Sequence, residues 1–426
     1  METIIYGLLL LVLALLGAPL FAIIGAIAML SFAGAGIDSS AVTVELYRIA
    51  SNPTLVAIPL FTFAGYLLAE SKAPTRLVNL ARALFGTIPG GLAVVALATC
   101  AIFTAFTGAS GVTIVAIGGL LYPILLKERY PKQFSLGLIT TSGSLGLLFP
   151  PSLPLILYAL VAQISIDKLF AAGLLPGVLL VTILSFYSIR KGKRLNVPRT
   201  SFELSNVKSA VRATVWELPL PFVVIGGIYG GIFTATEAAA VTAFYVLVVE
   251  VFVYKDLKLF SDVPRVMRES MLLVGAILMI LGAAMGLTNY LIDEEVPVKL
   301  FEFTKSFIAD PIVFLIVLNI FLIIVGMMMD IFSAIIVVVP LIVPIALGYG
   351  VDPVHLGIIF LTNLEIGYLT PPVGLNLFIS SLRFNESVFS VVRSVLPYMG
   401  ILFIALLIIT YVPGLSLWLV ELLGIR

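Results

Sequence analysis

Gly146-Leu147-Leu148-Phe149-Pro150-Pro151 and Gly367-Tyr368-Leu369-Thr370-Pro371-Pro372 place a glycine and two prolines at one spacing, 221 positions apart. The same offset pairs Pro123-Ile124 with Pro344-Ile345, Thr141 with Thr362 and Gly65 with Gly286. In each half 27 residues separate the lone proline from the double proline. Chance matches among leucines and isoleucines are expected in so apolar a chain, so only the glycine and proline agreements carry weight. On those, the chain reads as an internal duplication with two interrupted membrane segments, the pattern of a solute carrier.

Composition leads to the same class. The chain is 61% hydrophobic and 11% charged, against roughly 25% charged in a soluble domain, so it lacks the polar surface a water-facing globule needs. Residues 83–126 and 133–166 run for 44 and 34 positions without a charge, whereas about 20 apolar residues already cross a bilayer. Each run must therefore turn round or break at membrane depth. The first run, Ile4 to Leu30, follows the acidic Glu2, has no basic leader and is too long for a signal-peptide core, so it is expected as a retained helix. Arg190, Lys191, Lys193, Arg194, Arg199, Lys208 and Arg212 crowd one stretch with a single acid, Glu203, which the positive-inside rule places in the cytoplasm. Lys72, Arg76 and Arg82 suggest a second cytoplasmic loop. Cys100 is the only cysteine and His355 the only histidine, which excludes a disulfide framework, cysteine or histidine zinc sites and histidine triads. Nothing indicates nucleic-acid binding. An intramembrane enzyme would need a nucleophile with a base or a metal cluster, and a channel would show rings of charge or a filter repeat; neither pattern is present.

The expected fold is all-α and polytopic, with about eleven transmembrane helices and two re-entrant helical hairpins. One broken segment lies on either side of the basic stretch, and equivalent halves joined by an odd number of crossings face opposite ways, so inverted repeats are preferred over parallel ones. At Pro150-Pro151 and Pro371-Pro372 the missing N–H groups and ring clashes free carbonyl oxygens. In hydrocarbon these need a partner or a watery cavity. A hard monovalent cation suits such a cage, with hydroxyls of Thr104, Thr107, Ser110, Thr113 and Thr370 available to complete it. The alternative is a pair of kinks that only shape packing. Thr107-Gly108-Ala109-Ser110-Gly111 can form a tight hairpin tip that hydrogen-bonds a solute, or a close helix contact. Its counterpart, Met327-Met328-Met329-Asp330-Ile331-Phe332, is bulkier and less polar.

Ionisable residues at membrane depth are functional suspects. Asp330 either balances a cation or caps a helix, and Glu365 faces either the solute route or a polar neighbour. Thr234-Ala235-Thr236-Glu237 has capping-box spacing. Arg383 is either an anion anchor or a snorkelling side chain, the second being preferred. His355 reads as a solvated interfacial histidine without a role, and Trp216 and Trp418 as interfacial aromatics.

The strings Gly143 to Ser152 and Gly367 to Phe378 resemble the signatures of the large membrane subunit of tripartite ATP-independent periplasmic (TRAP) transporters, and the resemblance spans the chain. It implies a sodium-driven importer of small organic acids in a bacterial or archaeal cytoplasmic membrane. The partners it implies are a small four-helix membrane subunit and a periplasmic solute-binding protein. It implies no cofactor beyond sodium as coupling ion, and an elevator fold whose transport domain carries the two hairpins. On this sequence one sodium site of the family matches Thr104, Thr107, Gly146, Phe149 and Pro151, and the second Gly326, Gly367, Thr370 and Val373. Solute contacts are expected from Thr107, Gly108, Ser110, Gly111, Ser144, Ser152, Asn363, Pro371 and Asn376. The implied division is scaffold helices at 1–82, a first transport repeat at 83–189, a basic linker at 190–213, further scaffold at 214–305, a second transport repeat at 306–385 and a C-terminal helix at 386–426. A stand-alone sodium-coupled carboxylate carrier of related two-hairpin architecture is the alternative.

Overall fold

The computed structural model describes residues 6, 9–10, 12–13, 16–195 and 203–425. Part of the expected first helix, and Arg199 in the basic stretch, fall outside the described residues. Within them all regular structure is helical. Eight helices are long and apolar enough to span a membrane, or up to nine if the bent pair Lys132–Leu148 and Leu153–Val161 counts as one span. The expectation was about eleven. Leu20–Gly34, Gly91–Thr107, Pro219–Tyr229 and Pro353–Gly367 are further apolar helices, each too short to be counted alone.

In chain order the described helices open with α1 (Leu20–Gly34), α2 (Ser40–Ala50), α3 (Ala57–Glu70) and the amphipathic α4 (Ala73–Phe85). The first repeat follows as α5 (Gly91–Thr107), α6 (Ser110–Lys127), α7 (Lys132–Ser142), α8 (Leu153–Val161) and α9 (Ile166–Leu195). Four helices come between the repeats, α10 (Leu204–Ala213), α11 (Pro219–Tyr229), α12 (Ala235–Val253) and α13 (Asp262–Asp293), and α12 and α13 pack on the opening helices. The second repeat comprises α14 (Val296–Phe307), α15 (Pro311–Met328), α16 (Ile331–Gly348), α17 (Pro353–Gly367), α18 (Leu375–Phe384) and α19 (Val388–Tyr411). A short α20 (Gly414–Leu422) closes the chain, so the segment from 386 holds two helices where one was expected.

Element boundaries reproduce the duplication. Shifted by the sequence offset of 221, α6 becomes 331–348, the bounds of α16, and α7 begins at 353, where α17 begins. The repeats are inverted. Gly90, at the foot of the first hairpin, packs on Ser188 near the basic end of α9, and Arg82 pairs with Glu128 beyond the hairpin's other foot at 2.8 Å. The corresponding foot of α17 lies at the opposite end, where the Tyr158 hydroxyl of α8 donates to the Pro353 carbonyl at 3.1 Å. The first hairpin therefore enters from the side of the basic end of α9 and the second from the opposite side.

The repeats also lean on each other. The second arm of each hairpin packs against the second half of the other repeat's broken helix, α6 on α18 and α16 on α8. At the edge where α4 packs on α10, Arg76 donates to Glu217 at 2.7 Å, Asp256 at 2.5 Å and Glu250 at 2.9 Å, with the Tyr254 ring centroid 3.8 Å away. Burial alone would lower the pKa of this guanidinium. The hydrogen bonds to Glu217 and Asp256 outweigh it and hold the pKa above its ordinary value.

Candidate functional site

Both helix interruptions are present, and both prolyl bonds, Pro150-Pro151 and Pro371-Pro372, are cis. At each break a glycine lets backbone meet backbone. A methyl group on Gly146 would lie 2.2 Å from the Ala101 carbonyl oxygen, and one on Gly367 would lie 2.5 Å from the Gly326 carbonyl carbon. Each break is thus pressed into the first arm of its own hairpin, α5 or α15, with no room for a side chain.

The first break gathers oxygens around Thr104, which is fully buried. Its Oγ1 lies 2.7 Å from the Cys100 carbonyl, 2.9 Å from the Gly143 carbonyl and 2.7 Å from Thr113 Oγ1. Two hydroxyls bring two protons to three oxygen–oxygen contacts, so one contact is left without a proton. A surplus of acceptors in a dry interior is the chemistry of a cation cage. Thr107 Oγ1, one turn further on, is buried without a hydrogen-bond partner. The Gly146 and Phe149 carbonyls accept from Phe149 N and Ser152 N, each at 3.0 Å, and each keeps a second lone pair.

The tip that follows is sealed. Gly108 takes a left-handed φ of 64°, and a methyl group there would lie 2.5 Å from Leu153 Cβ of α8. On the other side Gly65 of α3 approaches so closely that a methyl group would lie 2.3 Å from the Phe106 carbonyl oxygen. Helix α3 thereby touches the hairpin. Ser110 and Ser152 are buried beside this junction, and Ser152 Oγ has no partner. The Ser144 hydroxyl sits 3.4 Å from the Thr141 carbonyl.

The second break is built differently. Thr370, just past the end of α17, donates only to the Ile366 carbonyl of that helix, at 2.8 Å, and Val373 is 45% exposed. Gly374 N donates to the Met327 carbonyl at 3.1 Å, and the Tyr368 hydroxyl accepts from Ile331 N at 2.5 Å; these two bonds fasten the break to the hairpin tip. Asp330 caps α16, its Oδ1 accepting from Phe332 N and Ser333 N at 3.0 and 3.1 Å; of its two expected roles the structure displays the cap. Glu365 is buried, and neither carboxyl oxygen has a hydrogen-bond partner.

Of the expected solute contacts, Asn376 joins the repeats, its Nδ2 donating to the Thr140 carbonyl at 3.3 Å. Gly111 packs on Ile379 of the same helix, which aligns the first hairpin with α18. Pro371 is exposed beside Thr370. Asn363 bonds instead to Asn319 Oδ1 at 2.7 Å and the Ile359 carbonyl. Asn319 continues to Thr410 Oγ1 at 3.3 Å, and the Thr410 carbonyl meets His355 Nε2 at 3.2 Å. His355 is therefore no solvated interfacial residue: it is 3% exposed. A carbonyl only accepts, so Nε2 carries the proton and Nδ1, 3.2 Å from Ser416 Oγ, accepts from that hydroxyl. The Thr234–Glu237 capping box forms as the spacing predicts. Thr113, Thr140, Asn319 and Tyr368 enter these contacts without having been singled out for them, apart from Thr113 as a spare hydroxyl. Their partners lie up to 91 residues away for Asn319 and 240 for Thr140, beyond any local pattern.

Comparison with known proteins follows from this geometry. The family profile described as "Tripartite ATP-independent periplasmic transporter, DctM component" matches residues 7–415. The chain is 38% identical over 403 residues to the C4-dicarboxylate TRAP transporter large permease protein DctM of Pseudomonas aeruginosa, covering 94% of this chain and 93% of that one. It is 37% identical over 368 residues to the isethionate TRAP transporter permease protein DctMQ of Oleidesulfovibrio alaskensis, covering 85% of this chain and 58% of that one. Among solved structures, the YdaH transporter of Alcanivorax borkumensis superposes with a TM-score of 0.63 at 14% identity, over 89% of this chain and 88% of that one, a likeness of fold.

Proposed function

Since the chain belongs to the family of DctM components, the multi-pass large permeases of tripartite ATP-independent periplasmic transporters, we propose that it imports a small organic anion by sodium coupling. Sodium binds at the two breaks, at the first among the oxygens gathered around Thr104, and the solute sits between the first hairpin tip and Asn376. The transport body, carried by α5–α9 and α15–α19, moves as an elevator against the scaffold. The membrane is the cytoplasmic membrane of a bacterium or archaeon. A periplasmic binding protein delivers the cargo, and a small four-helix subunit completes the complex; the DctMQ relative's name and its greater length support the second. Relatives named for C4-dicarboxylate and isethionate share an anionic head group, which favours a carboxylate or sulfonate here.

The observation that carries this reading is the acceptor surplus at Thr104. Energetics are compatible with it. Moving one charge across ~100 mV is worth about 2.3 kcal/mol, so two sodium ions with a monoanion gain about that much from voltage, or roughly fortyfold accumulation at about 1.4 kcal/mol per tenfold. With a dianion two sodium ions move no net charge, and the sodium gradient alone drives uptake. In proteoliposomes holding all three components, Thr107→Ala and Thr370→Ala should each weaken sodium dependence. Unchanged sodium affinity and uptake in both variants sinks the proposal, and vigorous uptake by the large subunit alone points to the stand-alone carrier.

A further inference from the structure

We infer that Arg383 is the anion anchor of the carried solute on the cytoplasmic side, at the foot of a polar seam that descends from the transport site between the two repeats. The inference rests on the transport reading above and adds to it a residue and a route.

The seam lies on one face of α18, where Asn376, Ser380 and Arg383 fall at i, i+4 and i+7. Asn376 reaches the Thr140 carbonyl at 3.3 Å, Ser380 Oγ accepts from Thr140 Oγ1 at 2.9 Å, and Arg383 Nε donates to the Val115 carbonyl at 3.1 Å. Both partner residues, Thr140 and Val115, belong to the first repeat. Asn376 and Ser380 are fully buried, whereas Arg383 is exposed. The row therefore connects the solute contacts to the surface. Lys132 at the foot of α7 pairs there with Glu386 at 2.6 Å, which puts this surface at the end of the first hairpin that faces the basic stretch, the side the positive-inside rule makes cytoplasmic.

The local structure of α6 is fitted to this arginine. Residues Ile114–Gly118 form a π-turn, which widens the helix and disturbs the regular ladder; such turns recur at functional sites. The guanidinium lies flat on the next residue: a methyl group on Gly119 would come within 2.3 Å of Nη2 and 3.0 Å of Cζ. Arg383 forms one hydrogen bond, through Nε, and no ion pair with any described residue. The two terminal nitrogens remain available, in the fork geometry that suits a carboxylate or sulfonate.

Charge distribution leaves few other candidates. No lysine or arginine occurs between Lys305 and Arg383, and none between Arg82 and Lys127. Arg383 stands 11 residues after Pro372, nearer in sequence than any other cation to either double proline. A snorkelling arginine would turn away from the protein. This one is laid back along the first hairpin instead.

The test uses the complete three-component complex in proteoliposomes, with succinate and isethionate as probes and solute supplied from either side. Arg383→Gln should raise the internal concentration for half-maximal release at least tenfold and leave the external one within twofold. Arg383→Lys, which keeps the charge, should cost about threefold, and Gly119→Ser, which crowds the guanidinium without removing it, should fall between the two. An unchanged internal half-saturation in Arg383→Gln overturns the inference while wild-type uptake leaves the transport reading standing. Arg383→Lys as impaired as Arg383→Gln also overturns it, by reducing Arg383 to a brace for the Val115 carbonyl. If Arg383→Gln does not fold, an unshifted Gly119→Ser overturns it instead. A wild-type complex that moves neither probe sinks the transport reading, and this one with it.

Discussion

The two repeats share a frame but are held in shape by different means. In the second repeat three aspartates cap helices with their own carboxylates, Asp310 on α15, Asp330 on α16 and Asp352 on α17. The residues 221 positions earlier are Pro89, Ala109 and Pro131, which have no side-chain acceptor to offer. The first hairpin depends on its surroundings: Thr104 bonds across to Thr113 and Gly143, Gly65 presses on Phe106, and Leu153 closes over Gly108. Its tip is buried, whereas in the second tip Met328 is 62% exposed. One half is set by tertiary contact and the other by local capping, so equivalent substitutions should have unequal consequences.

The sharpest challenge to this contrast is the place where the halves agree. Gly146→Val and Gly367→Val each force a side chain into backbone already in contact, an overpacking strain of about 1–3 kcal/mol, and both should abolish sodium-dependent uptake. Retained uptake in either variant would show that its break is not pressed into its hairpin. Thr104→Val removes a hydroxyl with three oxygen neighbours and Thr370→Val one with a single neighbour in the preceding helix. Sodium half-saturation should rise about tenfold in the first, or about 1.4 kcal/mol, and visibly less in the second; a reversed order would break the comparison. Asn319→Leu cuts a buried chain with no counterpart in the first repeat, where Ala98 occupies that position. Interhelical polar contacts in membranes average about 0.6 kcal/mol, so a small loss of thermal stability in detergent is expected, with sodium affinity unaffected. Asp330→Ala gives the second tip the residue of the first, and should cost about 0.5–1 kcal/mol in the same melt.

What the sequence disclosed was set by range. Proline pairs, offset and basic stretch are one-dimensional signals, and they located both breaks and favoured the inverted over the parallel arrangement; the box at Thr234 and Glu237 is a three-residue pattern. Span number was less legible, because the halves of a broken helix and the arms of a hairpin are as apolar as a complete crossing. His355 was misread because Asp352-Pro353 marks a helix start while giving no sign of α20, whose Ser416 covers the ring. The Arg76 cluster gathers Glu217, Glu250 and Asp256 from as far as 180 residues away, and the seat of Arg383 on Val115 spans 268. Neither has periodicity to reveal it.

The reciprocal leaning of α6 on α18 and α16 on α8 makes the duplicated halves interdependent. Excising either one would strip a wall from the hairpin of the other, so neither half should persist as a stable miniature carrier. A chain divided within the basic stretch ought to regain transport only when the two fragments are produced together and can dock like clasped hands.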